Sequence, residues 1–299
     1  MPRVPLDKPP KFVWPPGLPA DAPPPPASAP DASPQAHSWF RVFEEELLGR
    51  TASPFAERAA DEGWHPDSPA DYCPRCGACA SEYEPQFGAS GDLATCTWCR
   101  DKRLPWSNFV RVGAYDGLLR DAILELKFTA WRAVGMELGR LLGGQLAAEL
   151  ARLKVPPERV LLIPVPTTWR RRLARGVDHS LVLARGVAEV VPCRLGRPIG
   201  RRHTPSQASL AASVREQNVS GAFFDRSVRI PNVQLVVVLD DVRTTGATLR
   251  AACRAARRWL RRQTPPAGVA RAAVWACSIG VTPSSLEGAD GDAGKARRA

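Results

Sequence analysis

The chain has 299 residues, with 41 lysines and arginines against 30 acids and a formal charge of +11. That length suffices for one full domain plus a smaller module, and the charge favours anionic partners such as nucleic acid, phosphates or a membrane surface. No apolar run approaches a bilayer-spanning helix and the opening MPRVPLDKPP builds no signal-peptide core. A cytoplasmic protein is therefore expected, whose eight cysteines serve as metal ligands or buried thiols rather than disulfides.

Residues 1–37 are rich in proline and alanine and have little apolar surface to bury, so they are expected to be a disordered tail. Residues 38–70 are a linker, with a possible short amphipathic helix in SWFRVFEEELL. Residues 71–108 hold a cysteine cluster, CPRCGACASEYEPQFGASGDLATCTWC. Two C-x2-C pairs separated by a loop of this size fit a tetrahedral zinc ion with four thiolate ligands. Cys73, Cys76, Cys96 and Cys99 are the preferred set, because glycine follows the second thiolate of CPRCG. Cys79 makes another C-x2-C pair with Cys76 and stays an alternative, as does a redox pair. Cys193, Cys253 and Cys277 lie within apolar patterns and read as core residues.

From 109 to 280 the pattern becomes α/β. FVRVGAY reads as a strand, GLLRDAILELKF as a helix, and a longer helix follows with Leu138, Leu142, Leu146, Leu150 and Leu153 on one stripe. RVLLIPVP reads as a buried strand, DHSLVLARGVAEVV as a helix and NVSGAFF as a possible strand. VQLVVVLDD is a strand and the helix after it is amphipathic, with Leu249, Ala252, Cys253, Ala256 and Leu260 on one side. ARAAVWACSI is a last strand, and the polar stretch 281–299 is expected to be a disordered tail. Strands alternating with helices predict a mostly parallel sheet covered on both faces.

The chemistry concentrates in VVVLDDVRTTGATL, residues 236–249. Ligands of open α/β sheets bind beyond the carboxyl ends of the strands, where Asp240 and Asp241 follow Leu235–Leu239. The helix start after them exposes unpaired N–H groups that suit a phosphate. Gly246 admits a close approach, Thr244, Thr245 and Thr248 add hydroxyls, and Ala247 keeps the turn small. The carboxylates would repel phosphate, but they suit sugar hydroxyls on the same ligand. Ribose plus 5′-phosphate satisfies both halves, whereas a strand running into an ordinarily capped helix explains only one Asp and one Thr.

These residues resemble the phosphoribosyl-pyrophosphate (PRPP) signature of type I phosphoribosyltransferases. LLIPVPTTWRRRLARGVDHS resembles the pyrophosphate loop of that superfamily, placing Thr167, Thr168, Arg170, Arg175 and Gly176, with Arg171 and Arg172, near a diphosphate. RRHTPSQASLAASVREQNVSGAFF resembles its hood, with Arg201, Gln207, Arg215 and Asn218 reaching inward. Zinc cysteines ahead of such a domain resemble the ComF family, linked to bacterial competence and DNA uptake, over residues 71 to 280. YDGLLRDAILELKF is similar to that family's segment after its zinc module; its Lys127 either points at a ligand or is a surface lysine. Where the family tends to read Arg-Gly-Phe-Asn-Gln, this chain has Arg175, Gly176, Val177, Asp178 and His179.

The resemblance implies a type I phosphoribosyltransferase-like domain after a four-cysteine zinc module, with structural Zn²⁺ and with Mg²⁺ accompanying PRPP. It implies a role in competence, with single-stranded DNA and a DNA-uptake helicase as partners. The alternative is an active phosphoribosyltransferase of nucleotide metabolism or salvage, for which no acceptor residues stand out. For DNA, Arg250–Arg262 with Trp259, and Arg170–Arg175 with Trp169, supply charge and a stacking ring; a solvated helix face with one packed Trp is the other reading.

Overall fold

A computed structural model describes residues 54–79, 85–86, 95–97, 99–128, 132–167, 178–202, 221–263 and 272–283. Five strands form one parallel sheet: β3 (Phe109–Ala114), β4 (Val160–Pro164), β5 (Arg194–Leu195), β8 (Leu235–Arg243) and β9 (Ala273–Val281), in spatial order β3-β9-β8-β4-β5. Two antiparallel pairs lie outside it: β1 (Pro85–Gln86) with β2 (Thr95–Cys96), and β6 (Ile199–Arg201) with β7 (Phe223–Asp225). NVSGAFF therefore contributes to a two-stranded ribbon and not to the main sheet.

Helices cover both faces, as the continuous apolar strands require. Successive side chains of a strand point to opposite faces. On β8, Leu235, Val237 and Leu239 enter one core, shared with α2 (Gly117–Phe128), α3 (Arg132–Arg152) and α4 (His179–Val190). Val236 and Val238 enter the other, shared with α5 (Ala247–Arg261) and the β6–β7 ribbon. α3 and α4 meet backbone to backbone: a Cβ on Gly139 would lie 2.8 Å from the Cα of Gly186. Leu153 lies just past α3 and is exposed, so only four of the five expected leucines form the buried stripe. Cys253 and Cys277 are buried in the two cores, and Cys193 packs half-buried against the first.

Within the expected linker, Phe55–Asp61 forms helix α1. Phe55 is buried and stacks edge-on against Trp64 with ring centroids 5.2 Å apart. The Asp67 N–H donates to the Val112 carbonyl at 2.8 Å. This stretch is thus part of the core; SWFRVFEEELL lies outside the described residues. Among the described residues no helix is long and apolar enough to cross a membrane.

Candidate functional site

Two sites stand at different places on this frame. The first is the cysteine cluster. The Sγ atoms of Cys73, Cys76, Cys96 and Cys99 all lie within 4.8 Å of one another and all four residues are buried. Cys73–Cys99, Cys76–Cys96 and Cys96–Cys99 are 3.8, 3.5 and 3.7 Å apart. A tetrahedron of sulfurs about 2.3 Å from a zinc ion has edges of about 3.8 Å, so the four could hold a structural zinc. All four are free thiols. Without a cation the sulfurs pull against one another: hydrogen bonds from Cys76 and then Cys99 hold the Cys73 thiol well below its usual range, while the bond to Cys73 pushes Cys76 far up. A divalent ion resolves that conflict by taking every sulfur as thiolate.

Local backbone shapes the cluster. The Gly77 N–H donates to the Cys73 carbonyl at 2.7 Å, and Gly77 has φ +79, which favours glycine after the second thiolate. Arg75 ties the two halves by donating to the carbonyls of Cys99 and Lys102 at 3.1 and 3.0 Å. Cys79 is not in the group. Its Sγ sits 3.4 Å from both terminal nitrogens of Arg111, whose side chain is buried, pairs with Asp67 and donates to the Gly77 carbonyl. Arg111 therefore fastens the module to β3, a role that nothing local in FVRVGAY announces.

The second site lies at the carboxyl end of β8. The strand runs through both acids of VQLVVVLDD and two residues further, to Arg243. Pairing with β4 ends at Pro164 opposite Leu239, but pairing with β9 continues through Asp240–Ser278 and Val242–Gly280 to Arg243–Val281. The acidic pair thus sits on strand held from one side only, beyond the end of β4. The Asp241 N–H donates to Asp240 Oδ1 at 3.0 Å and the Val242 N–H to Asp241 Oδ1 at 2.7 Å.

Lys127, from the last turn of α2, reaches this pair: its Nζ lies 3.0 Å from Asp241 Oδ2 and 5.9 Å from the Tyr115 ring centroid. The lysine left open between ligand and surface is at the acidic pair. Desolvation, and next the charge of Asp241, push the Asp240 carboxyl up to about 8, with Lys127 and Arg201 pulling the other way. Arg201, the one hood residue among those described, ends β6 and covers the Phe223 ring at 5.1 Å. Gln207, Arg215 and Asn218 lie outside the described residues.

Gly246 is buried with φ +75 and ψ 8 at the start of α5. A Cβ there would meet nothing closer than 3.4 Å. Its left-handed backbone, rather than close packing within the chain, is what asks for glycine. Thr244 and Thr245 are exposed, Ala247 and Thr248 half-buried. The Ala247 N–H makes a 3.4 Å contact to Thr245 Oγ1, and Arg250 donates to the Thr245 carbonyl at 2.8 Å. Just past β4, Thr167 Oγ1 donates to Asp178 Oδ1 at 3.2 Å, and Arg197 lies 3.5 Å from Asp178 Oδ2. His179 is buried in the first turn of α4. Thr168, Arg170, Arg171, Arg172, Arg175, Gly176 and Trp169 lie outside the described residues.

The arginine helix differs from expectation in one respect. Trp259 is fully buried and its indole N–H donates to the Val228 carbonyl at 2.8 Å. It cannot stack on a base; it is a packed Trp beneath a charged face.

The raised Asp240 carboxyl makes a prediction about stability. The ligand-free folded chain keeps this proton up to about pH 8, whereas an unfolded Asp loses it near about pH 3.9. Between those values the folded state binds more protons, so its stability falls as pH rises. Asp240→Asn removes that penalty. Denaturant melts should show the variant gaining at least about 1 kcal/mol over wild type between about pH 5 and pH 8. An advantage that does not grow with pH would overturn the assignment.

The molecule is thus an α/β protein with a parallel five-stranded sheet and a four-cysteine module ahead of it. No protein-family model matches the chain. It is 31% identical over 182 residues to DNA utilization protein YhgH of Salmonella typhi, covering 59% of this chain and 74% of that protein. It is 30% identical over 184 residues to competence protein F of Haemophilus influenzae, covering 59% and 75%. The chain belongs to the ComF family that these proteins represent.

Proposed function

We propose that the protein binds a phosphoribosyl ligand, PRPP together with Mg²⁺, at the carboxyl end of β8, and that it serves DNA uptake or utilisation. The observation that carries this reading is the juxtaposition of an acidic pair with a helix start entered through a left-handed glycine. Asp240 and Asp241 would accept hydrogen bonds from the ribose hydroxyls, and Thr244–Thr248 would surround the 5′-phosphate at the positive end of α5. Lys127 and Arg201 supply the cations that offset the acids for an anionic ligand. Thr167, just past β4, would begin the pyrophosphate loop, to which Arg170 and Arg175 would belong by sequence. The DNA half of the proposal draws on the names of the relatives, DNA utilization protein and competence protein F, and on the +11 charge. A DNA-uptake helicase is the partner consistent with it.

Calorimetric titration tests the proposal. PRPP with Mg²⁺ should bind in the micromolar range, oligo-dT should bind in the same buffer at low salt, and dT affinity should fall steeply with added salt. Absence of PRPP heat at millimolar ligand would overturn the phosphoribosyl half. Release of pyrophosphate from PRPP alone or with a nucleobase would move the reading to an active phosphoribosyltransferase.

A further inference from the structure

A second cation-lined feature lies at the opposite end of the sheet. A cavity of about 720 Å³ opens where β8 and β9 begin, lined among others by Trp106, Arg229, Asn232, Arg257 and Arg261. Leu235 and Asp240 are five residues apart on β8, so about 17 Å separates the cavity's end of the sheet from the acidic pair. Among the described residues that line it, none is acidic. Three guanidinium groups around a space with no carboxylate repel one another unless an anion joins them.

The neighbouring arginines of the same helix behave differently. Arg262 Nη1 lies 2.9 Å from Asp225, Arg258 lies 3.6 Å from it, and Arg258 also donates to the Phe223 carbonyl at 2.9 Å. Those two are committed to the β6–β7 ribbon. Arg254, Arg257 and Arg261, at i, i+3 and i+7, form a separate exposed stripe. It runs about 10 Å along the helix and ends in the cavity. The rim is preformed. Trp259 and Gln263 both donate to the Val228 carbonyl, at 2.8 and 3.2 Å, and Arg194 donates to the carbonyls of Pro231 and Asn232 at 2.7 and 2.8 Å.

The geometry points to this stripe and cavity as the seat of single-stranded DNA: phosphates track Arg254, Arg257 and Arg261, and a nucleotide enters the cavity beside Arg229 over the apolar wall of Trp106. A groove of guanidiniums that follows a backbone, with a pocket for bases, is how single strands are held without sequence readout. The inference rests on the DNA half of the proposed function and places it away from the phosphoribosyl site.

Two double variants, equal in charge, test it by fluorescence anisotropy of labelled dT oligomers. Arg257→Gln with Arg261→Gln should weaken binding about tenfold or more at low salt, and should flatten the log–log salt slope by about 1.4, since each neutralised phosphate on a single strand contributes about 0.7. Arg258→Gln with Arg262→Gln should leave affinity within about twofold. PRPP heats should be unchanged in the first variant, and thermal melts of both confirm folding. Equal losses in the two variants would overturn the location while leaving DNA binding intact. Competition by dTMP or inorganic phosphate as effective as that by dT oligomers, phosphate for phosphate, would make this a small-anion site instead. Wild-type protein that binds no oligomer at low salt would remove the location and the DNA half of the proposed function together.

Discussion

Cys99→Ser should strip the cysteine module of its metal and unfold it. Cys99 is fully buried, 3.8 Å from Cys73 and 3.7 Å from Cys96, so no outside group replaces its sulfur. Among the described residues the module's own cluster is Cys73, Cys76, Ala78, Cys96 and Cys99, with Leu104 packed against it. A cluster of such small side chains does little to offset the chain entropy of ordering a stretch this short. A bound zinc would therefore supply its folding free energy, typically about 10–16 kcal/mol for structural zinc in small modules at neutral pH. The effect should reach past the module, because Trp106 donates to the Arg75 carbonyl at 2.9 Å and the Phe109 N–H to that of Pro74 at 2.7 Å. Elemental analysis should find one zinc per wild-type chain and none in the variant, and limited proteolysis should cut the variant between 71 and 104. Wild-type protein that is metal-free and still resists cleavage there would overturn the assignment.

The Asp240→Asn, Asp241→Asn double variant should lose PRPP affinity by at least about tenfold, because hydrogen bonds to charged groups contribute roughly 1.5–3 kcal/mol each. Inorganic phosphate or sulfate should bind no worse, since a repelling charge has gone. The variant should also melt higher than wild type at pH 8, because a buried carboxyl pushed up to about 8 has been replaced by a neutral amide. Lost affinity with gained stability is the signature of residues kept for binding. Lys127 loses the charge of its 3.0 Å partner in the variant, which favours an anion at the site. Gly246→Val should behave oppositely, weakening PRPP and phosphate alike, because valine resists φ +75. Wild-type PRPP affinity in the double Asn variant would reduce the acids to the end of a strand.

Much of this was legible in the sequence because it is local. The C-x2-C pairs and the run of aliphatics into Asp-Asp and Thr-Thr-Gly-x-Thr lie within short windows, and apolar periodicity set out the order of strands and helices. What was not legible depends on partners far along the chain. Nothing apolar follows the acids of VQLVVVLDD to carry the strand on, and Asp is itself a poor strand former, so the reading ends it at Asp241. It continues because β9, on the far side of α5, pairs with it to Val281. Arg258 and Arg262 read as part of one basic face with Arg257 and Arg261 until Asp225 of the ribbon divides that face in two. Trp259 offered a stacking ring by composition; its place on the buried side follows from the Leu249, Ala252, Ala256 stripe, which already pointed there. Lys127 could not be placed from its own helix, because four strands of the sheet and ribbon come between it and the strand of Asp241. Phe55 has no periodic neighbours to mark it as core, and only the tertiary fold covers it.

The contact between α3 and α4 has a consequence for how this molecule tolerates change. Where side chains interdigitate, a lost methyl leaves a hole that neighbours partly fill, and a gained one finds another rotamer. At Gly139 and Gly186 there is no side chain on either surface to give way: a Cβ on Gly186 would lie 2.9 Å from the Cα of Gly139 and 3.1 Å from the Arg140 nitrogen. The spacing of the two helices is therefore set like a mechanical stop, and one methyl group must move a whole helix. α4 begins at Asp178 and His179, beside Thr167, so an alanine placed on its remote flank would shift the mouth of the candidate site without touching any residue in it.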